Sequence, residues 1–211
     1  RACGPRFASA APMADAFTAF MFTLDRVRNV LLSLDTTTAL PGLPPPAPAE
    51  PNDVVEFSPG TGLFSVYFDG AAAGIPDGAR IDGLSADSFF DIFFSFDTSV
   101  TLPGVGAVDD EDVVSYAAGT FSMVIDGSAV GIDSALDLDA IHALAFPAVW
   151  LLSFDTSGSV GGVTFDDEDV IRYDTGLGAF ARESGTFAIE SSTYAMYFDA
   201  SLSDPVDWPA A

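Results

Sequence analysis

Lysine is absent from this 211-residue chain, and cysteine and histidine occur once each, as Cys3 and His142. The seven bases are all arginine and stand against 31 acids, 25 Asp and 6 Glu, for a net charge of −24. A nucleic-acid groove needs clustered Lys and Arg to neutralise phosphates, so nucleic acid is excluded as a partner. The same shortage excludes a polybasic membrane-surface patch. One Cys excludes an intrachain disulfide framework and a Cys-based zinc cluster, and one His excludes a multi-histidine metal site. No apolar run approaches the roughly 18 to 20 residues that span a bilayer. The longest, 143–152, is interrupted by Pro147, so no transmembrane segment is expected.

What is present argues for a folded domain rather than an acidic tail, because 49% of residues are hydrophobic and 19 are Phe. The opening RACGPRFASAAPMA begins with Arg and is rich in Ala and Pro, as in a processed chain. A removed signal peptide, and hence a periplasmic or extracellular location, is the expectation.

The chain repeats itself three times. LLSLDTTTALPGL (31–43), FFSFDTSVTLPGV (93–105) and LLSFDTSGSVGGV (151–163) place Asp35, Asp97 and Asp155 at one position. A second block follows each: EPNDVVEF (50–57), DDEDVVSY (109–116) and DDEDVIRY (166–173). A third reads LFSVYFDGAAAGI (63–75), TFSMVIDGSAVGI (120–132) and, more weakly, TYAMYFDASLSDP (193–205). A fourth precedes the first: ADAFTAF (14–20), IDGLSAD (81–87) and LDAIHAL (138–144). The organisation is one domain: an extension (1–13), repeat 1 (14–80, with a Pro-rich loop at 41–51), repeat 2 (81–137) and repeat 3 (138–211, with an insertion near 177–189).

Each block reads as a strand, with Phe, Val, Ile and Tyr enriched between Pro-Gly, Gly-Thr and Asp-Gly turns. Helical periodicity is poor, and the best short stretches are 14–20 and 24–31. The prediction is all-β, about four strands per repeat and about twelve in all. The Phe-rich runs and Trp150 beside Leu151 and Leu152 are consecutive apolar residues, which implies strands covered on both faces. Two architectures use four-stranded units: β-propeller-like blades, and a β-trefoil or other three-fold β domain, whose copy number fits. The GTF-SMVIDGS ending followed by LDLDAIHAL resembles the outer strand of one blade leading into the next. On these blocks the chain resembles bacterial secreted β-propeller-type repeat proteins over nearly its whole length. The resemblance implies a fold family and no activity. Three blades depart from its pattern, because a closed ring takes about four to eight.

The sharpest polar features are the tetrads Asp109-Asp110-Glu111-Asp112 and Asp166-Asp167-Glu168-Asp169. Carboxylates gathered at a loop-to-strand junction suit Ca²⁺, a hard cation taking six to eight oxygens. Asp109, Asp110, Asp112, Asp166, Asp167 and Asp169, with Asp97 and Asp155 from the strand ends, are the candidate calcium ligands. The competing reading makes them turn formers, since Asp bonds nearby backbone N–H groups and no EF-hand spacing is present. A glycosidase acid pair would occupy unique positions, whereas these acids recur. His142 lies in an apolar strand without partners for nucleophilic catalysis, and Cys3 lies in a terminal stretch. No catalytic residue or organic cofactor is assigned. Trp208 in the C-terminal turn and Trp150 are the candidate interface residues.

The expected function is therefore a non-catalytic binding or structural module of the bacterial envelope or exterior. One form is an accessory subunit docked on a larger assembly, with a protein partner or self-association. The alternative is a Ca-dependent adhesion or carbohydrate-binding protein, and a polysaccharide hydrolase ranks below both. A halophilic origin would explain the acidity without any ligand.

Overall fold

The computed structural model describes residues 29–44, 48–86, 91–145 and 148–182. These residues are all-β, in antiparallel sheets of which none closes into a barrel, the element that a trefoil requires. The first sheet holds β1 (Val30–Leu32), β2 (Val54–Ser58) and β3 (Leu63–Phe68) in that order. A short helix, α1 (Gly70–Ala73), leads to the second sheet of β4 (Ile81–Ala86), β5 (Ile92–Phe96), β8 (Val113–Ala117) and β9 (Thr120–Ile125). Between β5 and β8 the chain makes a separate hairpin, β6 (Val100–Leu102) with β7 (Gly106–Val108). After α2 (Gly127–Val130) the pattern recurs as β10 (Leu138–Ala145), β11 (Val149–Phe154), β14 (Ile171–Asp174) and β15 (Ala179–Arg182). Its hairpin is β12 (Gly158–Val160) with β13 (Val163–Phe165).

The described residues thus hold fifteen strands rather than about twelve. The extra ones come from the loops after Asp97 and Asp155, where Gly104 and Gly106, and Gly161 and Gly162, supply left-handed turn positions and the flanking Val and Leu alternate. The end of the stretch 24–31, read as a helix candidate, is strand instead: Val30 and Leu31 are β-branched or apolar partners of Phe57 and Glu56 in β2. β15 lies within the expected insertion of repeat 3 and pairs with β14 as β9 pairs with β8. The block at 193–205, the stretch 14–20 and the extension 1–13 lie outside the described residues.

Alternation along the strands fastens one sheet to the next. On β5, Ile92, Phe94 and Phe96 point toward the first sheet and pack with Val54 and Phe68. Phe93 points the other way and meets Trp150 of the third sheet edge-on, with ring centroids 5.1 Å apart at 82°. All five β5 side chains are buried, which is why the run FFSF lacks strict alternation. Each buried Phe or Trp contributes about 2–3 kcal/mol through apolar surface removed from water. A third cluster, Leu32, Leu34, Ala49 and Val55, covers the far face of the first sheet.

Polar seams follow the same order. Ile81 donates its N–H to the Pro51 carbonyl at 3.1 Å, and Leu138 donates to Asp110 at 3.2 Å. Ser95 Oγ donates to the Leu138 carbonyl at 2.8 Å, and Ser85 Oγ accepts the Ala143 N–H at 3.2 Å. Gly83 gives this seam its close approach, since a Cβ there would run into Ser95 Oγ unless that hydroxyl turned away.

Candidate functional site

The last acid of each tetrad closes a turn. Asp112 accepts the Asp109 N–H on Oδ2 at 2.9 Å and the Gly127 N–H on Oδ1 at 2.8 Å. Asp53 does the same in the first repeat, accepting Glu50 at 3.0 Å and Gly70 at 3.0 Å. Asp169 accepts the Asp166 N–H at 2.9 Å. All three side chains are buried, at 8% exposure or less. The clamp works because the glycine lets the start of the short helix lie against the tetrad backbone. A Cβ on Gly70 would run into the Asn52 carbonyl, and one on Gly127 into Glu111. The preceding acid caps that helix: Asp69 and Asp126 accept from Ala72 and Ala129 at 2.8 Å and 2.9 Å.

Asn52 and Glu111 hold the same place in successive repeats, each 1% exposed. Asn52 Nδ2 donates to the Ile75 and Pro76 carbonyls at 3.5 Å and 3.4 Å. Burial pushes the Glu111 carboxyl up to about 7, with the charges of Asp112 and Asp110 adding to it. A neutral Glu111 resembles Asn52 in offering a donor where an ionised one would not.

A pocket of about 160 Å³ lies where the three sheets converge. Asp35, Asp82, Asp137, Asp139 and Asp155 line it, with Arg80 the one base among its lining residues. These positions correspond between copies: Arg80 with Asp137, Asp82 with Asp139, and Asp35 with Asp97 and Asp155. In the second copy Arg80 Nε sits 3.2 Å from Asp97 Oδ2. In the third the same place brings acid to acid, and the Asp155 N–H donates to the Asp137 carbonyl at 3.1 Å. Burial pushes the Asp137 carboxyl up to about 7, and the charges of Asp110, Asp155, Asp97 and Asp139 add to the shift. Asp82 is also pushed up to about 7, by burial first and then by Asp137, although Ser95 and the Gly83 N–H oppose it. Asp139 is raised by burial, with the Ser153 hydroxyl opposing. One oxygen each on Asp137 and Asp139 is buried without a hydrogen-bond partner. Chemically the pocket is a cluster of carboxyls in which burial and mutual repulsion favour the protonated form of Asp82 and Asp137 up to about pH 7.

The predicted ligands divide between these places. Asp155 lines the pocket, and Asp97 stands beside it on Arg80. Asp109 accepts Ser99 Oγ at 2.8 Å and is exposed; Asp166 and Asp167 are exposed, and Asp110 is half-buried. Asp112 and Asp169 are in the clamps. Among the described residues, no three His, Cys, Asp or Glu side chains are grouped to hold a metal ion. Trp150 is fully buried between the second and third sheets. His142 is half-buried on β10 with its pKa lowered by burial. Trp208 and Cys3 lie outside the described residues.

Sequence reasoning missed Asp82, Asp137, Asp139 and Arg80. The signal was there in the sequence: an acid recurs as the second residue of one repeated block, at Asp15, Asp82 and Asp139. No helix among the described residues is long and apolar enough to cross a membrane. No protein-family model matches the chain, and no curated protein matches it.

Proposed function

We propose that the chain is a non-catalytic binding or structural module made of propeller-type blades. It works in the bacterial envelope or outside the cell and docks on a larger protein assembly. The observation behind this reading is the use made of the recurring acids. Asp53 and Asp112 each spend both carboxylate oxygens on backbone N–H groups, which is scaffold work. The stacked antiparallel sheets, none closed into a barrel, support it. To test it, the chain is incubated with a panel of polysaccharides, glycosides and esters, and no turnover is expected. Hydrolysis that disappears in Asp82→Asn overturns the reading.

A second reading, Ca-dependent adhesion or carbohydrate binding, is favoured by the five carboxylates around the pocket. It rests on their potential rather than on a ready ligand cage. Millimolar calcium should then raise the melting temperature and EDTA should reverse the rise. An unchanged melting temperature removes it.

A further inference from the structure

We propose that the pocket where the three sheets converge binds a guanidinium group, carried by an arginine side chain of a partner protein. The inference rests on the module reading for its partner and is separate from the calcium reading of the same acids.

The second copy already holds such a group at the equivalent place. Arg80 and Asp137 occupy one position of the repeat, and the backbone bears this out. The Asp97 N–H donates to the Arg80 carbonyl at 3.2 Å, and the Asp155 N–H donates to the Asp137 carbonyl at 3.1 Å. In the second copy Arg80 Nε lies 3.2 Å from Asp97 Oδ2, so the chain supplies its own cation. In the third copy an acid replaces that arginine, and Asp155 has no guanidinium from its own repeat.

Other observations point from the acids to a ligand. Asp137 and Asp139 each keep one buried oxygen without a hydrogen-bond partner among the described residues. Ser33, only 5% exposed, also lines the pocket, and no hydrogen bond joins its hydroxyl to a described residue. Its counterparts Ser95 and Ser153 bond Asp82 and Asp139. Burial and mutual repulsion oppose ionisation of Asp82 and Asp137, as in carboxyls short of a cation.

The layout selects the kind of cation. The acceptors are spread around about 160 Å³, and among the described residues no three carboxylates are grouped to hold a metal ion. A guanidinium fits dispersed acceptors because it is planar, always charged and directs five N–H donors outward. An ammonium offers three donors from one point and is more strongly hydrated. Arg80, the one base of the lining, is paired with Asp97, which does not line the pocket. Asp155 is exposed, so a side chain can reach the site from outside.

The experiment is calorimetric titration of the full 211-residue chain with methylguanidinium, Nα-acetylarginine methylamide and free arginine. The first two should bind saturably at one site. Free arginine should bind about tenfold more weakly, because its carboxylate meets an acidic pocket. Nα-acetyllysine methylamide should also be weaker by about tenfold. Asp137→Arg gives the third copy the arginine of the second, so it should abolish binding and raise the melting temperature. Asp155→Asn, at an exposed position that leaves folding intact, should weaken binding about tenfold by removing a charged acceptor. Asp77→Asn, an exposed acid outside the pocket lining, should leave binding unchanged. Absence of saturable methylguanidinium binding overturns the inference. So does binding that survives in both Asp137→Arg and Asp155→Asn, which would be attraction to the net charge of −24. Free arginine that binds more tightly than the blocked form overturns the assignment to a partner's side chain. A melting temperature raised by calcium without guanidinium binding overturns the inference and leaves the calcium reading standing. Hydrolysis that disappears in Asp82→Asn, with guanidinium binding intact, overturns the module reading alone.

Discussion

The Gly127 N–H points at Asp112 Oδ1 from 2.8 Å, so an acid at the start of one strand holds the beginning of the helix that follows the next. Asp112→Ala strands the N–H groups of Gly127 and Asp109. It should lower stability by about 3 kcal/mol in urea unfolding, as loss of a buried charged acceptor does. Asp167→Asn, in the exposed part of the neighbouring tetrad, should change it by less than about 0.5 kcal/mol.

The same contact makes a steric prediction. Gly127→Ala places a methyl group against Glu111 and should cost about 1–3 kcal/mol by overpacking. Gly131→Ala, whose Cβ meets nothing, is penalised instead for a backbone φ of 91°. Thermal melts of the two proteins, set beside a Gly60→Ala control in open space, separate collision from backbone strain.

Stability should fall as pH rises from about 4 to 7. Asp82 and Asp137 have an ordinary pKa of 3.8 and are pushed up to about 7 in the fold. The folded state therefore binds more protons than the unfolded state across that window. Their stabilising contribution is complete below the unfolded value and is lost as pH climbs through the folded one. Glu111, raised from 4.5 to about 7, acts in the same direction. Melting temperatures at pH 5 should exceed those at pH 8, and Asp137→Asn should flatten the difference.

Trp150→Ala opens a cavity between the second and third sheets and should cost about 3–5 kcal/mol. Because its ring meets Phe93 edge-on, a double-mutant cycle with Phe93→Ala should return a coupling of about 1 kcal/mol.

Added salt should stabilise the chain at pH 8. With a net charge of −24, self-repulsion is screened as the Debye length shortens from about 30 Å at 0.01 M to 3 Å at 1 M. A melting temperature that does not change between those limits would mean that self-repulsion of the chain's acids does not limit its stability.

The all-β fold was legible because alternation and turn residues act locally, whereas the number of strands and their order in the sheets were not. Phe93 and Trp150 could be read as double-sided packing from their apolar neighbours alone. The hairpins β6–β7 and β12–β13 were hidden because three-residue strands leave too short a pattern. The pocket was hidden for another reason. Asp35, Asp82, Asp137 and Asp155 come from three repeats and meet only through the stacking of sheets, which no local spacing encodes. The tetrads attracted attention through charge density, yet Asp112 and Asp169 are buried in turns. Density of charge along a chain does not report which oxygens remain available in space.

The clamp also bears on how the protein ages. In Asp69-Gly70 and Asp126-Gly127 a glycine nitrogen follows an aspartate, the pairing in which that nitrogen attacks the preceding carboxyl and closes a succinimide. Here the nitrogen is committed to Asp53 or Asp112, and the aspartate side chain is committed to capping its helix. Both reactants are held in hydrogen bonds while the fold is intact. Asp77-Gly78, at an exposed turn, has no such clamp, so isoaspartate damage should collect there before Asp69-Gly70 and Asp126-Gly127, which react only on unfolding.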